Sequence, residues 1–478
     1  MKKNNKYTYL LNNIGLLTIS NFGSKILSFV LIPLYTNLLS TEEYGTYDIY
    51  TTSISLLMPI LTLNIVSAVL RYSLDKEKNK KKIFSIGLQR LIYATIFVTI
   101  GILLNNIFHI IPILERFWIS FILLFAAEGL YNLMSNFARG REKIKEISIA
   151  GIINAISVLA LNVMFLAFFK LGLKGYFVAN IAGYLIPTIY LIFKLEIWEY
   201  IELNKVEKNL QKEMESYSKP LIFNTVGWWI TNASDRYIIT WMCGVATNGI
   251  YSVSYKIPSI LNIFQTIFNQ AWTLSAVKEH EKESSSFYTE IYTLYNLGLV
   301  LICSALIIID KIIAKILFAK EFFEAWKFAP FLMISVVFGG LSGLLEGVFI
   351  ANKDTKIIAK TTIVGAIINV VLNIIFVKAI GAMGAAISTL IAYIIVWLIR
   401  VISTNKVIKI DVRYKINIIS YCILILQASI LQLSLKNVFQ YVLQFILFFV
   451  LVFLYRLDIK KYLKKILSKL KNYKLIKK

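Results

Sequence analysis

Fourteen runs of about 20 mainly apolar residues follow one another along this chain, separated by short polar connections. A run of that length crosses the hydrocarbon core of a bilayer as a helix. Lipid tolerates no unpaired backbone polar groups, so only helices or a closed barrel can span it. The runs are continuously apolar rather than alternating, which selects helices. The expected fold class is an all-α polytopic membrane protein with about 14 transmembrane helices, at roughly 11–35, 46–70, 83–104, 117–137, 147–169, 173–194, 219–242, 250–274, 289–309, 328–350, 357–377, 380–402, 415–434 and 438–456. Composition agrees, with 58% of the 478 residues hydrophobic and only 16% charged. Mean hydropathy is +0.68, outside the range of soluble globular chains.

The N-terminal Met1-Lys2-Lys3-Asn4-Asn5-Lys6 precedes a hydrophobic segment that is too long for a signal peptide and lacks a small-x-small cleavage site, so it reads as an uncleaved first span. With the N-terminus inside, most of the 51 Lys and Arg residues fall in cytoplasmic connections. That asymmetry places both termini in the cytoplasm of a cell that carries the protein in its cytoplasmic membrane. One connection, 310–327, dissents, with Lys311, Lys315, Lys320 and Lys327 on the outer side. The net charge of +24 invites a nucleic-acid partner, yet the cations sit beside spans and in the tail. Orientation and anionic lipid account for them, so no nucleic acid is expected. In the tail, 457–478, Ile459, Tyr462, Leu463, Ile466, Leu467, Leu470 and Tyr473 recur at helical spacing among lysines, as in a helix lying on anionic membrane lipids. Cys243, Cys303, Cys422, His109 and His280 are scattered, so no disulfide, metal site or cofactor is expected.

The chain repeats itself. Thr18-Ile19-Ser20-Asn21-Phe22-Gly23-Ser24-Lys25 returns 211 residues later as Trp229-Ile230-Thr231-Asn232-Ala233-Ser234-Asp235-Arg236, and Asn13 lands on Asn224. At 100° per residue, Asn13, Ser20, Asn21, Ser24 and Lys25 fall on one side of a helix, as do Asn224, Thr231, Asn232, Asp235 and Arg236. Gly45-Thr46-Tyr47 returns as Gly249-Ile250-Tyr251, and Gly172-Leu173-Lys174-Gly175 as Gly381-Ala382-Met383-Gly384, at offsets of 204 and 209. Six spans per copy is even, so the copies are expected as parallel six-helix lobes around a central cavity. The expected organisation is a first lobe, 1–195; a charged cytoplasmic linker, 196–218; a second lobe, 219–403; two additional helices, 404–456; and the basic amphipathic tail, 457–478.

Charged side chains inside spans cost about 2.5–3.5 kcal/mol at a helix centre and are functional candidates by default. They are Lys25, Arg90, Glu128, Asp235, Arg236, Lys256 and Glu346. Lys25, Arg236 and Lys256 are expected as a cationic cluster in the outer half of the cavity, with Arg90 nearer the inner side. Snorkelling to headgroups competes with that reading, and for Arg90 the two are equal. Glu128, Asp235 and Glu346 are candidates for ion coupling or for neutralising these cations. Asp235 and Arg236 point about 100° apart, so each needs a partner from another helix or a ligand. Arg71 is explained by the inside-positive bias alone. Pro33, Pro59, Pro187 and Pro258 are positioned to kink spans one, two, six and eight. No phosphate-binding Gly-rich loop, nucleophile elbow or metalloprotease motif occurs, so an enzyme is not expected.

Leu39-Ser40-Thr41-Glu42-Glu43-Tyr44-Gly45-Thr46-Tyr47, then Arg71, Asp235-Arg236, Gly249-Ile250-Tyr251-Ser252, Asn369, Asn373 and Gly381 to Ala386 follow in an order and spacing that resemble one family. It is the polysaccharide biosynthesis (Wzx-type) flippases of the multidrug/oligosaccharidyl-lipid/polysaccharide exporter superfamily. The resemblance implies a V-shaped pair of lobes that moves a polyprenyl-pyrophosphate-linked oligosaccharide to the outer leaflet by alternating access, with a proton or sodium as coupling ion. A lipid II-type flippase and a drug/cation antiporter share that fold. Lys25 on span one, where an antiporter would favour an acid, counts against the antiporter. A membrane-embedded polymerase or glycosyltransferase would need a catalytic loop larger than any here.

Overall fold

The computed structural model describes residues 29–202, 207–266, 268, 285–351, 355–433, 436–462 and 464, and these residues form helices and no strand. The helices are α1 (Phe29–Leu38), α2 (Thr41–Leu61), α3 (Ile65–Ser73), α4 (Lys80–Phe108), α5 (Trp118–Gly140), α6 (Ile144–Asn162), α7 (Gly172–Leu195), α8 (Lys208–Cys243) and α9 (Val245–Ser254). After a helical stretch at 259–266 come α10 (Ser285–Leu317), α11 (Ala329–Ala351), α12 (Thr355–Ile380), α13 (Ala382–Thr404), α14 (Tyr414–Gln432), α15 (Asn437–Leu454) and α16 (Arg456–Tyr462). Among the described residues nine helices are long and apolar enough to cross a membrane, or up to eleven if each of two bent pairs is one span. The protein is thus a multi-pass helical membrane protein.

Three of the fourteen expected spans are not in that number. Span one is described only from 29 onward, span seven is the more polar helix α8, and span eight is interrupted at 255–258. One of the interruptions has a proline cause. Pro258 sits in the turn that ends α9, where it cannot donate a helical hydrogen bond. Pro59 precedes a break at 62–64, with Leu63 and Asn64 at φ 55° and 51°, and α3 leaves α2 at 62°. Pro187, in contrast, lies within an uninterrupted α7.

The described chain packs as two compact units. The first comprises residues up to Thr240, with Gly244–Gly249 and Leu317–Phe322; the second comprises Trp241–Cys243, Ile250–Ile316 and Phe323 onward. The expected lobes divide at 219, whereas the compact units keep α8 with the first bundle as far as Thr240. Residues 208–218, expected as linker, are the first three turns of α8. Gln211–Glu215 and Glu215–Lys219 contacts at i,i+4 spacing support that helix.

The turn before α2 shows why its motif has the residues it has. Ser40 Oγ accepts from the Glu43 N–H at 3.1 Å while Glu43 Oε2 accepts from the Ser40 N–H at 2.9 Å, a capping box. Glu43 also accepts from the Leu173 N–H at the start of α7. Tyr44 stacks on Tyr35 at 4.8 Å, and Tyr47 meets Tyr176 at 4.4 Å. Gly45 and its repeat partner Gly249 touch backbone to backbone. A Cβ on Gly45 would fall on the Val245 carbonyl, and one on Gly249 on the Thr41 carbonyl. The other repeated glycines also match in conformation, Gly172 at φ 55° and Gly381 at φ 63°, the left-handed region that favours glycine.

Residues 317–322 dock on this same turn. Thr36 Oγ1 donates to the Leu317 carbonyl at 3.1 Å, Thr41 Oγ1 to Glu321 at 3.0 Å, and Lys320 Nζ to the Asn37 carbonyl at 2.7 Å. Three of the four lysines in the connection that opposed the expected topology, Lys311, Lys320 and Lys327, are therefore held by protein groups. Lys320 sits at the carbonyl end of α1, where the helix dipole favours it, and Lys327 pairs with Glu324.

In the second unit, α14 and α15 are joined to α10 by polar contacts. Asn296 donates to Asn417 and to the Tyr455 hydroxyl at 2.9 Å each and accepts from Tyr421 at 2.7 Å. Ser304 donates to Gln427 at 2.7 Å, Gln427 and Gln444 exchange bonds, and Lys311 donates to Gln440 at 3.0 Å. Such bonds between membrane helices contribute about 0.6–2 kcal/mol each. Together they fix the register of the two helices that have no counterpart in the first copy.

Candidate functional site

Helix α8 carries Arg236 seven residues before its end, and α2 carries Asp48 seven residues after its start. At 1.5 Å per residue both sit about 10 Å in from those helix ends. They meet: Arg236 Nη1 lies 3.1 Å from Asp48 Oδ1 and donates to Thr52 Oγ1 at 3.0 Å. Asp48 Oδ2 accepts from Asn248 Nδ2 at 3.3 Å, so both carboxylate oxygens are engaged. One turn of α2 thus presents an acid and a hydroxyl, at i and i+4, to one guanidinium. Neighbouring contacts fix the two helices: Ser53 meets the Tyr237 hydroxyl at 2.5 Å, and Trp229 Nε1 donates to the Thr52 carbonyl at 3.0 Å. Ser53 and Tyr237 also border a cavity of about 320 Å³ lined by Leu57, Val98, Ile102 and Phe121.

The countercharge of Arg236 is Asp48, supplied by another helix as the sequence demanded. Asp235 is buried and accepts from the Arg236 main-chain N–H at 2.9 Å. Of the polar stripe on α8, Asn224 and Asn232 are exposed, while Thr231 is buried and bonds to the Gly227 carbonyl. Lys25, Asn13, Ser20, Asn21 and Ser24 lie outside the described residues, as does most of the basic tail. Lys256 belongs to the second unit, in the turn 255–258. Glu128, half-buried on α5, interacts with Tyr47 and Tyr184.

Arg90 is bound in an ionic seam. It pairs with Glu215 on α8, which also accepts from Gln211 at 2.8 Å and pairs with Lys219 at 3.0 Å. Lys78 pairs with Glu213 and Lys82 with Glu207, each at 2.8 Å. Burial pushes the Glu215 carboxyl up, but the bonds from Gln211 and Lys219 and the Arg90 charge outweigh it and hold it below its usual range. This seam joins the start of α4 to the start of α8, which explains Arg90 without a ligand.

Glu346 has a partner the sequence did not suggest. Arg400 on α13 is 1% exposed and bonds Glu346 at 3.1 Å, the Ser342 carbonyl at 3.0 Å, and the Thr361 and Thr362 hydroxyls at 3.1 and 3.2 Å. Arg400 lies near the end of the apolar run 380–402 and is absent from the charges that the sequence singled out. Asp48 was equally legible in principle, being the sole charged side chain in run 46–70.

The family model described as polysaccharide biosynthesis protein matches residues 10–273, more than half of the chain. The chain belongs to the polysaccharide biosynthesis protein family. An uncharacterized membrane protein of Methanocaldococcus jannaschii is 24% identical over 319 residues, 60% of either chain. A probable low-salt glycan biosynthesis flippase of Haloferax volcanii is 22% identical over 203 residues, 40% of this chain and 43% of that protein. The alignments thus span less than two thirds of these relatives. Among solved structures, a lipid II flippase in an inward closed conformation shares the fold with a TM-score of 0.71 at 14% identity, covering 93% of this chain and 99% of that one. An inward-facing multidrug resistance transporter of the MOP superfamily aligns with a TM-score of 0.64 at 13% identity, over 82% and 94% of the chains. The family match contains Asp48, Thr52, Arg236 and Asn248.

Proposed function

We propose that this family member is a flippase that carries a polyprenyl-pyrophosphate-linked oligosaccharide from the cytoplasmic to the outer leaflet of the cytoplasmic membrane by alternating access. The observation that carries the reading is the Asp48–Arg236 pair within the family's matched segment. A guanidinium kept in the membrane by one carboxylate and one hydroxyl has the fork geometry that a pyrophosphate or acidic sugar takes up in place of the carboxylate. The likeness to the probable glycan biosynthesis flippase of Haloferax supports a glycan cargo. Lys25, which shares the repeat register of Arg236, is assigned the second anion contact, and Lys256 a third. Glu128 is assigned to coupling, since Glu346 already neutralises Arg400. The polyprenyl tail stays in lipid, so only the headgroup crosses, with no bond made or broken.

Deletion of the gene, followed by analysis of lipid-linked sugars, tests this. Accumulation of one lipid-linked oligosaccharide on the cytoplasmic side is the expected result. No accumulation, together with sensitivity to cationic drugs, would replace the reading with drug export. Lys25→Ala should abolish export at unchanged protein level, and Arg236→Ala should abolish it in the protein that remains folded.

A further inference from the structure

Asp48 and Glu346 each face a guanidinium, but Asp310 on α10 does not. It is 0% exposed, and neither carboxylate oxygen has a hydrogen-bond partner among the described residues. It shares its helix face with Cys303, Ile307 and Ala314, all fully buried. Seven residues separate it from the end of α10, about 10 Å of helix.

The charged group that acts on Asp310 is Lys311, the next residue, which leaves the helix about 100° away. Its ammonium is occupied by Gln440 Oε1 at 3.0 Å and by the Trp326 ring at 4.3 Å. Among the described residues, α14 and α15 bring the buried amides Gln427, Gln440 and Gln444 towards this end of the unit, while Lys436, which caps α15, is exposed. The one acid of α11, Glu346, stands near its opposite end with Arg400, and Glu324 in the preceding segment is taken by Lys327. A carboxylate kept from water and from a countercharge costs several kcal/mol even after relaxation. A metal cation would need several oxygen ligands, and among the described residues no group of three or more His, Cys, Asp or Glu gathers to hold one. A single carboxyl in apolar surroundings can hold a proton.

We propose that Asp310 is a reversible proton-binding site of the second unit. It is a carboxylic acid while buried as seen here. When a conformational change admits water, its O–H bond breaks, the proton passes to that water, and the carboxylate regains a proton before it is buried again. That this cycle drives translocation rests on the transporter reading; the proton exchange itself does not.

The test is infrared difference spectroscopy of the purified full chain in lipid nanodiscs, titrated between acidic and alkaline buffer. The wild type should show the carbonyl band of a protonated carboxyl that fades reversibly as pH rises. The band should be lost in Asp310→Asn. Should that variant not fold, Asp310→Leu, which suits the apolar neighbours, takes its place. A band that never titrates, or one that persists in the variants, overturns the proposal. The measurement reads Asp310 whatever the cargo is, so its failure is distinct from failure of the flippase reading, which lipid-linked sugar accumulation decides.

Discussion

Removing Asp48 should destabilise the protein through Arg236. With charges 3.1 Å apart and an effective dielectric of 20, their attraction is about 5 kcal/mol. Desolvation of two mostly buried groups offsets part of that gain. Deleting one partner does not recover it, because the other charge stays buried; such changes cost about 3–5 kcal/mol. Arg236 would retain the Thr52 hydroxyl, which puts Asp48→Asn at the low end, about 3 kcal/mol, and Arg236→Gln at a similar value. The double variant leaves no charge and two amides that can bond, so it should cost no more than either single change, a coupling of about 3 kcal/mol. That coupling is a factor above 100 in the folded-to-unfolded ratio. Reversible unfolding in mixed micelles, followed by tryptophan fluorescence, measures all four corners of the cycle. Coupling below about 0.5 kcal/mol would show that the two side chains do not stabilise one another. The same double variant serves the functional reading: a folded protein that exports nothing supports Arg236 as an anion contact, and one that exports normally removes that role.

Further expectations rest on other contacts. Glu215 has its carboxyl held below the unfolded value, so its contribution is complete above about pH 4.3 and is lost as pH falls through the folded-state value. Glu215→Gln should lower stability by about 1–3 kcal/mol at neutral pH and flatten that acid limb in thermal unfolding scans. Arg400→Ala should cost about 3–5 kcal/mol by stranding Glu346, and the paired change Arg400→Met with Glu346→Leu should restore most of it. Glu346→Gln should leave export coupled, since that acid serves Arg400; loss of coupling in a stably folded variant would contradict this. Gly45→Ala forces a Cβ onto the Val245 carbonyl and should cost at least about 1–3 kcal/mol, whereas Gly101→Ala, with open space around it, should be silent in the same assay.

The sequence read well where the physics is local or lipid-imposed. Apolar runs, prolines and the Ser40/Glu43 cap act within a few residues, and each left its mark in α2, α3 and α9. The repeated glycines were legible as a pattern, and their backbone contact and matched φ angles give the pattern its reason. Residues 208–218, expected as part of a linker, open helix α8, and a Lys/Glu-rich stretch looks solvated whether it is coil or helix. Only its partners on α4, namely Lys82 and Arg90, show the difference. Adjacency of Asp235 and Arg236 along a helix separates their side chains, so the sequence called for a partner from elsewhere without naming Asp48.

The sequence by itself determined a helical membrane protein, because a bilayer leaves a continuous apolar chain almost no other option, and it shows a motif that returns in order along the chain. It also marked some of the residues too costly to be in lipid without a purpose, Arg236 and Glu346 among them, but not Asp48, Asp310 or Arg400. Which acid answers which cation was decided only by the tertiary structure. Asp48 and Arg236 are 188 positions apart, and Glu346 and Arg400 are 54 apart. A charge in a low-dielectric interior is satisfied by whatever packing brings within about 3 Å, and that depends on crossing helices rather than on chain order. The same packing leaves Asp310 without such an answer.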